Sequence, residues 1–128
     1  MSATLGMLTL VVRDYDEAIA YFAGALGFAL IEDTDMGSGK RWVVVAPGEG
    51  GARLLLAKAA NEKQAAAIGA QTGGRVFLFL YVADFDATYA RYAAAGVRFA
   101  EAPRQEKYGK VVVFEDLYGN RWDLIERQ

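Results

Sequence analysis

Acid–base and metal chemistry in this chain must do without its usual side chains, because the 128 residues contain no histidine and no cysteine. The missing histidine removes the commonest general base and the commonest metal ligand together. The missing cysteine rules out thiol nucleophiles, thiolate metal sites and disulfides. A bound metal would have to be a hard cation such as Mg²⁺ or Ca²⁺, held by carboxylates, carbonyls and water. The charged residues that remain recur at fixed spacing. Asp14 and Asp16 stand 70 residues before Asp84 and Asp86, and Arg53 stands 68 before Arg121.

That spacing belongs to an internal repeat. Leu8, Leu10, Val12, Asp14 and Asp16 meet identical residues 70 positions on, and Tyr15 meets Phe85. Further along, Val43-Val44-Val45 falls on Val111-Val112-Val113 at an offset of 68. Chance likeness between two apolar strands would not also align the acids and aromatics that follow.

Each copy must place its residues on a strand, a helix and three more strands. Residues 7–12 and 76–82 are rich in Val, Leu and aromatics and predict strands. Asp14, with Glu17 three residues on, reads as a capped helix start. Tyr15, Ala18, Ile19, Phe22 and Leu26 then form one helical stripe, and Phe85, Thr88, Tyr89 and Tyr92 repeat it after Asp84. Gly27 and Gly96 suit the helix ends. Strands are expected at 28–33, 41–46 and 53–57, and again at 97–100, 111–115 and 122–126, with turns at 35–39 and 47–51. The chain therefore divides into module one (about 5–58), a linker helix (about 59–74) and module two (about 75–128) of a single domain.

Composition narrows the partners. Hydrophobic residues make up 54% of the chain, enough for a sizeable core. A net charge of -2 argues against nucleic acid as a partner. The longest apolar runs, such as 76–83, fall well short of the roughly 20 residues a membrane helix needs. The N-terminus lacks the pattern of a signal peptide, so the expectation is a cytoplasmic protein with no membrane partner.

The repeated unit resembles the vicinal oxygen chelate superfamily, which includes glyoxalase I, bleomycin-resistance proteins and extradiol dioxygenases. The resemblance is carried by Val12-Arg13-Asp14-Tyr15-Asp16 with Leu26-Gly27-Phe28, and by Val82-Ala83-Asp84-Phe85-Asp86 with Ala95-Gly96-Val97. Its most specific stretch runs from Phe114-Glu115-Asp116 through Tyr118-Gly119-Asn120 to Trp122-Asp123-Leu124. It implies an α+β fold of two tandem βαβββ modules forming an open U-shaped half-barrel with helices outside, commonly in a homodimer. It also implies that metal-dependent members hold an ion at positions matching Met7, Leu55, Phe77 and Asp123. Three of these four are apolar here, so the expectation is no metal and no cofactor.

Strand alternation then assigns side chains to the concave face that the resemblance implies. Met7, Thr9, Phe77, Phe79 and Tyr81 would line it from the first strand of each module. Arg53, Leu55, Arg121 and Asp123 would line it from the last. Trp42 and Tyr108 complete the candidate ligand-binding set, and the charged loop 103–110 is a candidate cover. Trp122 has the opposite parity and is expected in the core. Such a wall suits a flat, hydrophobic or aromatic small molecule. Asp123 is the candidate general acid or base, or else an ion-pair partner of Arg53 or Arg121. The leading expectation is a metal-independent binding protein; the alternative is a lyase or isomerase acting on a small carbonyl compound.

Overall fold

In a computed structural model, residues 2–127 are described, and they divide between Ile68 and Gly69 into two compact units. The first runs β1 (Met7–Val12), α1 (Tyr15–Ile19), a π-helical continuation (Ala20–Ala25), β2 (Ala29–Gly37), β3 (Lys40–Ala46), β4 (Arg53–Lys58) and α2 (Glu62–Ala67). The second runs β5 (Val76–Val82), α3 (Phe85–Ala94), β6 (Arg98–Phe99), β7 (Arg104–Glu106), β8 (Gly109–Glu115) and β9 (Arg121–Glu126). The α+β class and the tandem βαβββ plan are as expected.

The sheet of the first unit has the order β1-β4-β3-β2, with β1 and β4 parallel. A parallel pair needs a long crossover, and the helix after β1 begins it. Asp14 caps that helix by accepting a hydrogen bond from the Glu17 amide at 2.9 Å. Period-2 alternation sorts the strands: Leu10, Val12, Leu54 and Leu56 are buried, whereas Met7 and Arg53 face outward. Phe22, Leu26 and Phe28 from the helical side complete this core. Burying a side chain such as Phe22 contributes about 1.5–3 kcal/mol.

Two details differ from the expectation for this unit. The helix does not stay α-helical to its end; the Leu26 amide bonds the Tyr21 carbonyl five residues back at 3.0 Å. Phe22 and Leu26 nevertheless both stay buried. The β2–β3 hairpin closes through two residues, Ser38 (φ 57) and Gly39 (φ 80), so β2 continues to Gly37. Positive φ at both positions is the turn that matches strand twist.

In the second unit the sheet order is β5-β9-β8-β6, with β7 also paired to β8. Asp84 caps α3 through the Ala87 amide at 3.0 Å, repeating the role of Asp14. The core is aromatic: Phe114 stacks on Trp122 at 5.5 Å and meets Tyr92 edge-on at 5.7 Å. Trp122 is buried, as its parity predicts. From Leu78↔Trp122 onward, β5 and β9 keep the register that β1 and β4 have from Leu8↔Leu54.

Segment 103–110 forms a hairpin. Residues 104–106 form β7, and Lys107-Tyr108 make the turn into β8. Between β6 and β7 the ladder is interrupted at residues 100–103, which include Pro103 and its missing amide proton. Glu101 bridges the gap: its carboxylate accepts from the Val113 amide at 3.0 Å. The expected linker helix is short, six residues capped by Asn61 through the Gln64 amide.

Candidate functional site

The site grows from β9, the strand that lies between β5 and β8. Asp123 on β9 pairs with Phe79 on β5 and with Val113 on β8. Two residues on, Ile125 pairs with Tyr81. Alternation therefore sets Phe79, Tyr81, Asp123 and Ile125 on one face of the sheet. They line an open cavity of about 510 Å³ together with Tyr108 from the β7–β8 turn and Glu126 and Arg127 from the end of β9. That volume lies within the range of small-molecule sites.

The aromatic walls and the acidic floor are in opposite states. Phe79 and Tyr81 are each 56% exposed and Tyr108 is 50% exposed, an unusual outlay of aromatic surface on one face. Asp123 is only 9% exposed, and its Oδ1 is buried with no hydrogen-bond partner. Burial raises the Asp123 pKa above the ordinary carboxylate value, and the nearby Glu101 charge raises it further. Arg104 and Arg121 pull in the other direction through space. Neither quenches the carboxylate by direct pairing at Oδ1.

Arg104 is engaged elsewhere. Its Nε donates to both oxygens of Glu101, at 3.2 and 3.1 Å, and its guanidinium also pairs with Glu106. Hydrogen bonding to Tyr108 ties the same group to the turn that lines the cavity. The interruption between β6 and β7 thus delivers an ion-pair cluster to the flank of Asp123.

A second buried carboxylate holds β9 in place. Asp116 is fully buried in the β8–β9 turn and accepts from the amides of Tyr118 (2.9 Å) and Asn120 (3.0 Å) and from the Trp122 indole (3.0 Å). These hydrogen bonds to its carboxylate fasten the turn that leads to Asp123.

The predicted residues separate by unit. Phe79, Tyr81, Tyr108 and Asp123 come together at the cavity. Phe77 lies at a bulge, where the β5–β9 register shifts between Val76 and Leu78, and falls outside the lining with Arg121. In the first unit, Met7 pairs with Arg53 and Thr9 with Leu55, so these four share one face of the β1–β4 pair. Trp42 is half-buried on β3 opposite Thr34 of β2. Sequence reasoning missed Glu126 and Arg127 in the lining and Glu101 and Arg104 beside it. Ile125 was legible by parity alone. The ion-pair cluster has no local signal, because it depends on an interrupted strand.

The donor set at Met7, Leu55, Phe77 and Asp123 does not fit a divalent ion: one thioether, two hydrocarbon side chains and one carboxylate. Among the described residues, no three His, Cys, Asp or Glu side chains group closely enough to hold one elsewhere. No helix among them is long and apolar enough to cross a membrane.

Comparison with known proteins adds to this geometry. Residues 4–124 match the family model described as the Glyoxalase/Bleomycin resistance protein/Dioxygenase superfamily. An uncharacterized protein of Shewanella frigidimarina is 50% identical over 128 residues, covering 98% of this chain and 95% of its own. The protein YurT of Bacillus subtilis is 30% identical over 125 residues, covering 93% and 95%. Among solved structures, UcmS2 superposes with a TM-score of 0.83 at 31% identity over 98% of both chains. TnmS3, described as an antibiotic binding protein from Streptomyces sp. CB03234, superposes with a TM-score of 0.79 at 25% identity over 99% of this chain and 98% of its own.

Proposed function

Because the chain belongs to the Glyoxalase/Bleomycin resistance protein/Dioxygenase superfamily, we propose that it is a metal-independent binding protein for a flat, largely apolar small molecule. The ligand lies against the second unit's sheet, with its rings on Phe79, Tyr81 and Tyr108. The observation that carries this reading is the cavity of about 510 Å³ whose walls are half-exposed aromatics. Rings left in water at that extent gain apolar contact when a planar ligand covers them. The antibiotic-binding description of TnmS3 supports the same class of role. The chain acts in this reading as a cytoplasmic homodimer.

Isothermal titration of the purified chain with planar aromatic compounds tests the proposal. Phe79→Ala with Tyr81→Ala should weaken binding at least tenfold, and a chelator should leave it unchanged. Equal affinity in wild type and double variant would overturn the assignment.

A second reading rests on the raised Asp123 pKa, which suits a carboxylate to move a proton. It makes the chain a lyase or isomerase on a small carbonyl compound. Deuterium exchange at the carbon next to the carbonyl, followed by NMR in D2O, reads that activity. Exchange that is unaffected by Asp123→Asn would sink it.

A further inference from the structure

We propose that the second unit's cavity selects an aromatic compound bearing a protonated amine, the ammonium seated against the Asp123 carboxylate and the rings on Phe79, Tyr81 and Tyr108. This rests on the binding role proposed above and adds the charge and donor chemistry of the ligand.

The floor of the cavity supplies the first reason. More than nine-tenths of Asp123 is buried, and its Oδ1 has no hydrogen-bond partner among the described residues. Buried acceptors are ordinarily satisfied, and an ionised carboxylate can only accept. Oδ1 itself lies beneath the cavity surface, so a ligand's donor meets the carboxylate where Asp123 lines the cavity and offsets charge that no protein donor offsets at Oδ1, whereas an anionic group would meet repulsion.

The neighbouring charges supply the second. Arg104 on β7 is committed to Glu101, Glu106 and Tyr108. Lys110 on β8 donates to both oxygens of Asp86, at 3.0 and 3.1 Å. Arg121 on β9 itself is exposed and acts on Asp123 through space only, and Arg127 lines the cavity without bonding Oδ1. From β5, the side chains that face Asp123's side of the sheet are the uncharged Phe79 and Tyr81. Glu126 in the lining and Glu101 beyond Val113 add negative charge. Asp123 is thus attracted through space by Arg104 and Arg121 but ion-paired with neither, which leaves its carboxylate open to a ligand's cation.

The walls supply the third. An ammonium is attracted to the faces of aromatic rings as well as to a carboxylate, and more strongly where water is excluded. A neutral alcohol of the same shape would hydrogen-bond the carboxylate but bring no positive charge to it or to the rings.

Four naphthalene probes of one shape separate these possibilities in titrations of the full chain at pH 7.5: 2-naphthylmethylamine, 2-naphthalenemethanol, 2-methylnaphthalene and 2-naphthoate. The amine should bind at least tenfold more tightly than the alcohol, and the carboxylate most weakly. Asp123→Asn, with its fold checked by circular dichroism, should bring the amine to the alcohol's level, whereas a variant that keeps the amine's tenfold preference overturns the assignment. In the wild-type protein, acidification through the Asp123 titration should weaken the amine and not the alcohol. An alcohol that binds as tightly as the amine, or a tighter naphthoate, overturns the ammonium assignment and leaves the binding role standing. No binding of any probe at millimolar concentration overturns both.

Discussion

At the residue scale, Asp123 is held in a place that disfavours its charge. Desolvation raises its pKa above the ordinary value of 3.8. The native state therefore keeps a proton that the unfolded chain has already released. This group's contribution to stability is fully present below the unfolded value and declines as pH rises through the folded one. Asp123→Asn removes the titration at nearly constant shape. Thermal denaturation should give the variant a melting temperature a few degrees above wild type at pH 7, with the gap closing toward pH 3.5. A variant that melts below wild type at pH 7 would show that attraction from Arg104 and Arg121 outweighs burial.

Asp123 was visible in the sequence because the repeat sets it opposite Leu55: one copy carries a hydrocarbon where the other carries an acid. Its unmet oxygen was not visible. Arg104 pairs instead with Glu101 and Glu106, contacts that no local pattern displays. Phe77 illustrates a different dependence on the ladder. Alternation assumes an unbroken ladder, and a single bulge between Val76 and Leu78 removes this residue from the lining.

At the scale of elements, caps and strand parity were legible because they are local. Asp14, Asn61 and Asp84 all cap the helices that follow them. The Ser38-Gly39 turn lacked the Asn-Gly or Asp-Gly signal of its type, so the expected turn was too long. Gly69 is another non-local requirement. Its φ is +75, and a Cβ there would overlap the backbone carbonyl of Tyr118 in the turn fastened by Asp116. Gly69→Ala should cost about 2–4 kcal/mol in urea denaturation, from backbone strain plus the clash. Gly96→Ala, at φ +85 with open space around the new methyl, should cost only about 1–2 kcal/mol. Equal losses would show that the Tyr118 turn yields freely.

At the scale of the whole chain, the two copies keep the same strand plan and differ at their sheet margins. The outer strand of the second sheet is interrupted at Pro103, so it offers no long template to a neighbour. Its counterpart β2 pairs on one side with β3 and runs for nine residues, with Leu30, Ile31 and Met36 exposed. What guards that rim is the charge of Glu32 and Asp35, which sets two such rims against each other electrostatically, while the Asp33 carboxylate is paired with Arg41 at 2.7 Å. Salt should disarm the guard: light scattering of a dilute solution should climb with ionic strength as the repulsion is screened, and Leu30→Lys with Ile31→Lys should suppress the rise. Keeping copies of this chain apart in solution thus falls to one exposed margin, which neither core can help to defend.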